Sequence, residues 1–127
     1  MKIQANDISM HYEITGDGDW LVLVHGAGDN LQTWYNQVPA FSKEYKVLAY
    51  DTRGHGQTDV SEGEYTTGVW ADDLHALLNV LGAKRASVVG YSLGGMIAAT
   101  PELTMVDTPS MVISSRPSIT CQTSSCS

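Results

Sequence analysis

The sequence predicts an α/β fold, a mostly parallel sheet with flanking helices. Two observations carry that expectation. Three short apolar runs, Trp20–Val24, Tyr45–Tyr50 and Ala86–Tyr91, have the β-branched and aromatic content of strands covered on both faces. Between the second and third lies the clearest helical spacing in the chain, with Trp70, Leu74, Leu77, Leu78 and Leu81 recurring along one face.

The elements follow in order. Ile8–Thr15 alternates apolar and polar residues imperfectly, which fits a half-buried strand, and Lys2–Ala5 is short enough to pair with it. A turn at Gly16-Asp17-Gly18-Asp19 precedes the run Trp20–Val24, which stops abruptly at His25-Gly26-Ala27-Gly28. Leu31, Trp34, Tyr35, Val38 and Phe41 are spaced for one short helix, although Pro39 interrupts its later part. Tyr45–Tyr50 is the next strand, and the glycines and polar residues of Asp51-Thr52-Arg53-Gly54-His55-Gly56-Gln57-Thr58-Asp59 mark a loop. For the helix that follows, Thr66 or Thr67 supplies an N-cap and Gly82 a left-handed C-terminal residue. Ala86–Tyr91 is the third buried strand, and Ser92–Ala99 begins a helix. Asp72 and Asp73, adjacent on the longer helix, point in different directions and are expected on a solvated face.

Residues 1–100 form the domain; residues 101–127, rich in Ser, Thr and Pro, are expected to be an irregular or disordered tail. Within that tail Met111-Val112-Ile113 has the content of a short strand. If those residues leave the strand Ala86–Tyr91 uncovered, its backbone edge offers a site for pairing with another chain or for aggregation.

Composition excludes several functions. A length of 127 residues suits one domain, and 14 acidic against 7 basic side chains give a net charge of −7. So acidic a chain lacks the positive field that holds nucleic acid or anionic lipid. No apolar stretch approaches the roughly 20 residues that cross a bilayer. Met1–Asp7 has no apolar signal core, so a cytoplasmic protein is expected. Cys121 and Cys126 sit together near the end and cannot staple the fold, and none of His11, His25, His55 and His75 forms a close ligand pair. Neither metal nor cofactor is expected.

Chemistry is concentrated in Gly90-Tyr91-Ser92-Leu93-Gly94, a G-x-S-x-G sequence between a strand and a helix start. At such a corner the serine backbone is strained, and small residues two before and two after it are required where strand and helix nearly touch. The serine oxygen is pushed out over the carboxyl end of the strand, and the Leu93 amide faces a developing oxyanion. Earlier, His25-Gly26-Ala27-Gly28 ends another strand with glycine-rich backbone, whose Ala27 amide is available as a second oxyanion donor.

Taken together, Leu21–Gly28, Tyr50–Gly56 and Gly90–Gly95 resemble the α/β-hydrolase family, in its order and at its approximate spacing, over roughly residues 5 to 100. The likeness is closest to its small serine esterases, carbon–carbon bond hydrolases and enol-lactonases. A serine rather than an aspartate at position 92 argues against the dehalogenase and epoxide-hydrolase branches. What the resemblance implies is cofactor-free acyl transfer from a small carbonyl substrate, with Ser92 as nucleophile and the Ala27 and Leu93 amides as oxyanion hole. His25, Gly26 and Tyr91 are then expected around the substrate pocket, while Asp51, Arg53 and His55 belong to a motif that looks mainly structural.

One part of the family's pattern is missing. Its acid and base follow the serine, yet no histidine follows Ser92, and Glu102 and Asp107 are the only later carboxylates. The expectation is therefore a fold truncated after the nucleophile corner, with weak or no activity alone. The alternative is a non-catalytic module that keeps the pocket to bind a small ligand or to pair with another chain.

Overall fold

The computed structural model describes residues 1–63, 65–91, 93–98, 110–113 and 119–121. The run Asp19–Val24 becomes β3, the middle strand of a seven-stranded sheet. Its Val22, Leu23 and Val24 are wholly buried because layers lie on both faces. The strands in chain order are β1 (Lys2–Ala5), β2 (Ile8–Thr15), β3, β4 (Tyr45–Tyr50), β5 (Ala86–Tyr91), β6 (Ser110–Ile113) and β7 (Ile119–Cys121). Across the sheet they are arranged β1-β2-β4-β3-β5-β6-β7. The four in the block β4-β3-β5-β6 run parallel, and the outer pairings β1 with β2, β2 with β4 and β6 with β7 are antiparallel.

Alternation along the central strands divides the core in two. Val22, Val24, Leu48, Tyr50 and Val88 face helix α2 (Thr67–Leu81), whose Ala71, Leu74, Leu77 and Leu78 are fully buried. Leu21, Leu23, Val47, Ala49 and Val89 face the opposite layer, where Leu31 and Trp34 cover them. Period-two strands and a period-3.6 helix thus meet along matching apolar faces. The Thr66 hydroxyl accepts the Val69 N–H at 3.2 Å, and Gly82 closes α2 at φ 79°.

Several sequence expectations need amendment. Leu31–Phe41 is not one helix but a 3-10 turn at Leu31–Trp34 followed by a four-residue α1 (Val38–Phe41). Pro39 is the cause, since it is accommodated in the first turn of α1 and cannot continue a helix from upstream. Asp73 is buried rather than solvated: Arg53 holds it in a two-pronged pair, Nε to Oδ2 at 2.8 Å and Nη2 to Oδ1 at 2.6 Å, and the Asn6 amide donates at 2.8 Å. That pairing and hydrogen bonding keeps Arg53 charged. Two strands stand in the segment expected to be an irregular tail. β6 pairs in parallel with β5, from Val88↔Ser110 to Tyr91↔Ile113, so the edge of β5 is covered. β7 adds Met111↔Cys121 to Ile113↔Ile119 through backbone ladder bonds, which need little apolar content. The remainder of 101–127 lies outside the described residues.

The topology also marks a place. From β3 the chain crosses to β4 on one side, whereas from β5 it crosses to β6 on the other. The carboxyl ends of the neighbours β3 and β5 therefore flank the switch point of the sheet, where parallel folds open a crevice.

Candidate active site

The strand β5 ends at Tyr91 and helix α3 (Leu93–Ala98) begins two residues later. Ser92 lies between them in sequence, outside the described residues, whereas the glycines two before and two after it are described. A side chain on Gly90 would overlap the Gly94 carbonyl and stand 2.5 Å from the Gly95 nitrogen. A side chain on Gly94 would overlap the Val24 carbonyl and stand 2.7 Å from the His25 oxygen. Backbone cannot yield as a flexible side chain does, so both positions admit only hydrogen. The second contact matters most for the site, because it brings the start of α3 against the end of β3.

There His25-Gly26-Ala27-Gly28 leaves the sheet. Gly28 takes φ 79°, and the Asp29 N–H donates to the Gly26 carbonyl at 3.1 Å to close a tight turn. Ala27 is exposed, and its N–H makes no hydrogen bond among the described residues. The Leu93 N–H, at the first position of α3, has no partner within its helix.

His25 occupies a different position from the one expected. It is completely buried, as Gly26 is nearly so, and both ring nitrogens are engaged. Nδ1 lies 2.7 Å from the Gly26 carbonyl and Nε2 accepts the Thr52 N–H at 3.0 Å. An imidazole donating through Nδ1 and accepting through Nε2 is neutral. Burial accordingly pushes its pKa below 6.5. So enclosed a ring supports the turn from behind instead of lining a pocket. The side chain of Tyr91 lies outside what the structure describes.

The loop after β4 supplies the rest of the frame. The buried Asp51 carboxylate accepts the Leu31 N–H at 2.7 Å, the Gln57 N–H at 2.9 Å and the His11 Nδ1 proton at 2.9 Å. Gly56, at φ 51°, leaves space that a side chain would take from that carboxylate. His55 meets the Thr52 hydroxyl at 2.9 Å and stands edge-on to His25 with centroids 5.0 Å apart. Three histidines are thus tied into the scaffold, and His75 is exposed on α2. Sequence reasoning placed Asp51 in a structural motif but not at the hub of three donors. The signal for it was the polar residue directly following a buried strand. Among the described residues no cluster has the composition of a metal site, and no helix is long and apolar enough to cross a membrane.

Residues 19–100 match the alpha/beta hydrolase fold family. The chain belongs to the α/β-hydrolase fold family. A putative non-heme bromoperoxidase of Mycobacterium tuberculosis is 40% identical over 109 residues, which cover 84% of this chain and 40% of that protein. A soluble epoxide hydrolase of Corynebacterium is 33% identical over 97 residues, covering 76% of this chain and 34% of its own length. The crystal structure of the enol-lactonase from Burkholderia xenovorans LB400 superimposes with a TM-score of 0.75 at 36% identity, covering 77% of this chain and 39% of that one. The chain therefore spans well under half the length of the curated relatives named.

Proposed function

We propose that this chain carries the nucleophile and oxyanion hole of a serine hydrolase acting on an ester, a lactone or a similarly activated carbonyl. The observation that carries the reading is the paired exclusion at Gly90 and Gly94, which forces the G-x-S-x-G corner against the exit of β3. Ser92 is the nucleophile: its oxygen bonds to the carbonyl carbon, the bond to the leaving oxygen breaks, and that oxygen departs with a proton. Water then cleaves the acyl-serine to release the acid. The N–H groups of Ala27 and Leu93 stabilise the oxyanion formed in both steps. Serine at position 92 favours acyl transfer over the epoxide opening named for one relative.

The four histidines precede Ser92, and three of them are held by other partners. That observation supports low turnover for these 127 residues alone, since a serine without its base keeps only what binding and the oxyanion hole contribute. A fluorophosphonate is the decisive probe. Slow labelling that disappears in Ser92→Ala supports an activated serine. Tight binding of a small carbonyl compound with no labelling supports instead a ligand-binding module. Turnover of p-nitrophenyl esters at ordinary enzyme rates, lost in Ser92→Ala, overturns the low-activity reading.

A further inference from the structure

We propose that Thr52 is a positioning residue for the oxyanion hole: acting through the His25 imidazole, its backbone N–H sets the direction in which the Ala27 N–H points. The inference rests on the reading of Ala27 as an oxyanion donor. It concerns how that donor is held.

The argument begins with one peptide plane. The carbonyl of Gly26 and the N–H of Ala27 belong to the same trans peptide unit and point in opposite directions. Whatever grips the carbonyl from inside the protein therefore aims the N–H outward. Two donors grip it, His25 Nδ1 at 2.7 Å and the Asp29 N–H at 3.1 Å. The His25 bond exists only while Nδ1 carries the proton, and in the neutral ring that requires Nε2 to act as acceptor. The Thr52 N–H, 3.0 Å from Nε2, enforces this choice. A backbone N–H cannot reverse its role, unlike the Thr52 hydroxyl, which lies 3.2 Å from the same nitrogen.

The far end of the turn is held from the neighbouring residue. Asp51 accepts the Leu31 N–H at 2.7 Å, so consecutive residues at the end of β4 hold both ends of the segment that carries Ala27. Ionisable groups facing His25 are His55, edge-on at 5.0 Å, with Asp51 and Asp29 acting at longer range. Protonation of His25 removes the acceptor for Thr52 and breaks the lock from one side only.

Nitrogen-15 NMR of the whole 127-residue chain tests this. At pH 8 the His25 ring should carry its proton on Nδ1. As pH falls, the Thr52 amide signal should move with a midpoint below 6.5, that of the imidazole itself, and the Ala27 signal, still held through Nδ1, should move less. His25→Asn, which still offers an N–H to the Gly26 carbonyl, should keep the Ala27 signal near its original place, whereas His25→Leu should displace it. Fluorophosphonate labelling of Ser92 should fall roughly tenfold or more in His25→Leu and recover in His25→Asn. Circular dichroism establishes that each variant compared is folded, and the titration of the unmodified chain stands even where a variant is not. A proton on Nε2 at pH 8, or an Ala27 signal unchanged in a folded His25→Leu, overturns the proposal. A proton on Nδ1 at pH 8 and an Ala27 signal displaced in His25→Leu, without any labelling of the unmodified chain, support the lock while overturning the serine-hydrolase reading.

Discussion

Two regions at the carboxyl ends of the parallel strands are held in opposite ways. The loops after β3 and β4 are fixed by directional bonds: Asp51 gathers three donors, and His25 is held between the Gly26 carbonyl and the Thr52 N–H. The corner after β5 is fixed by exclusion, since Gly90 and Gly94 leave room for no side chain between β5, α3 and β3. The contrast shows how one rim combines two needs. Loop backbone that must point in a set direction is aimed by hydrogen bonds, whereas the strand-to-helix corner is set by close approach of backbone.

The largest effect should come from breaking the steric region. Gly94→Ala places a methyl group on the Val24 carbonyl, and neither backbone can retreat without moving a central strand. We expect a loss of more than about 3 kcal/mol in urea unfolding. A loss under about 1 kcal/mol would show that the corner is loose and the contrast false. Asp51→Ala tests the polar region next. It strands the Leu31 and Gln57 N–H groups, and a loss of about 2–3 kcal/mol is expected, with Asp51→Asn recovering part of it.

Tyr50, immediately before that hub, should behave in the reverse sense. Its buried hydroxyl has no hydrogen-bond partner among the described residues, and burial with the nearby Asp73 pushes its pKa far up. Tyr50→Phe should therefore raise the free energy of unfolding in urea by about 1 kcal/mol. A fall instead would reveal a partner for the hydroxyl and extend the polar network by one residue.

The smallest effect is the pH dependence carried by His25. Desolvation lowers its folded pKa beneath 6.5, so the unfolded chain takes up the proton first as pH falls. Its contribution to stability is full above pH 6.5 and is lost as pH drops from there through the folded pKa. Unfolding midpoints between pH 7.5 and 5, compared with those of His25→Asn, isolate it; equal slopes would show that His25 does not contribute.

Much of the fold was legible because its signals are local. The apolar runs of β3, β4 and β5, the spacing of Leu74, Leu77, Leu78 and Leu81, the Thr66 cap and Gly82 each carry their meaning within one element. The need for Gly90 and Gly94 was also legible, since strand, turn and helix start were readable on either side. The interior role of Asp73 was not. Adjacent aspartates on a helix look solvated until Arg53, twenty residues earlier, is brought against one of them. β7 was missed for a similar reason, because a strand made by ladder bonds to a neighbour needs no pattern of its own.

By itself the sequence determined the parallel sheet, the order of its motifs and the place of Ser92 between strand and helix, since periodicity and turn chemistry act over a few residues. Tertiary structure alone decided that β3 and β5 would be neighbours at the switch point, and that His25 would be enclosed with its tautomer set by Thr52. Those outcomes depend on groups 27 or more residues apart, and only the closed sheet brings them within bonding distance.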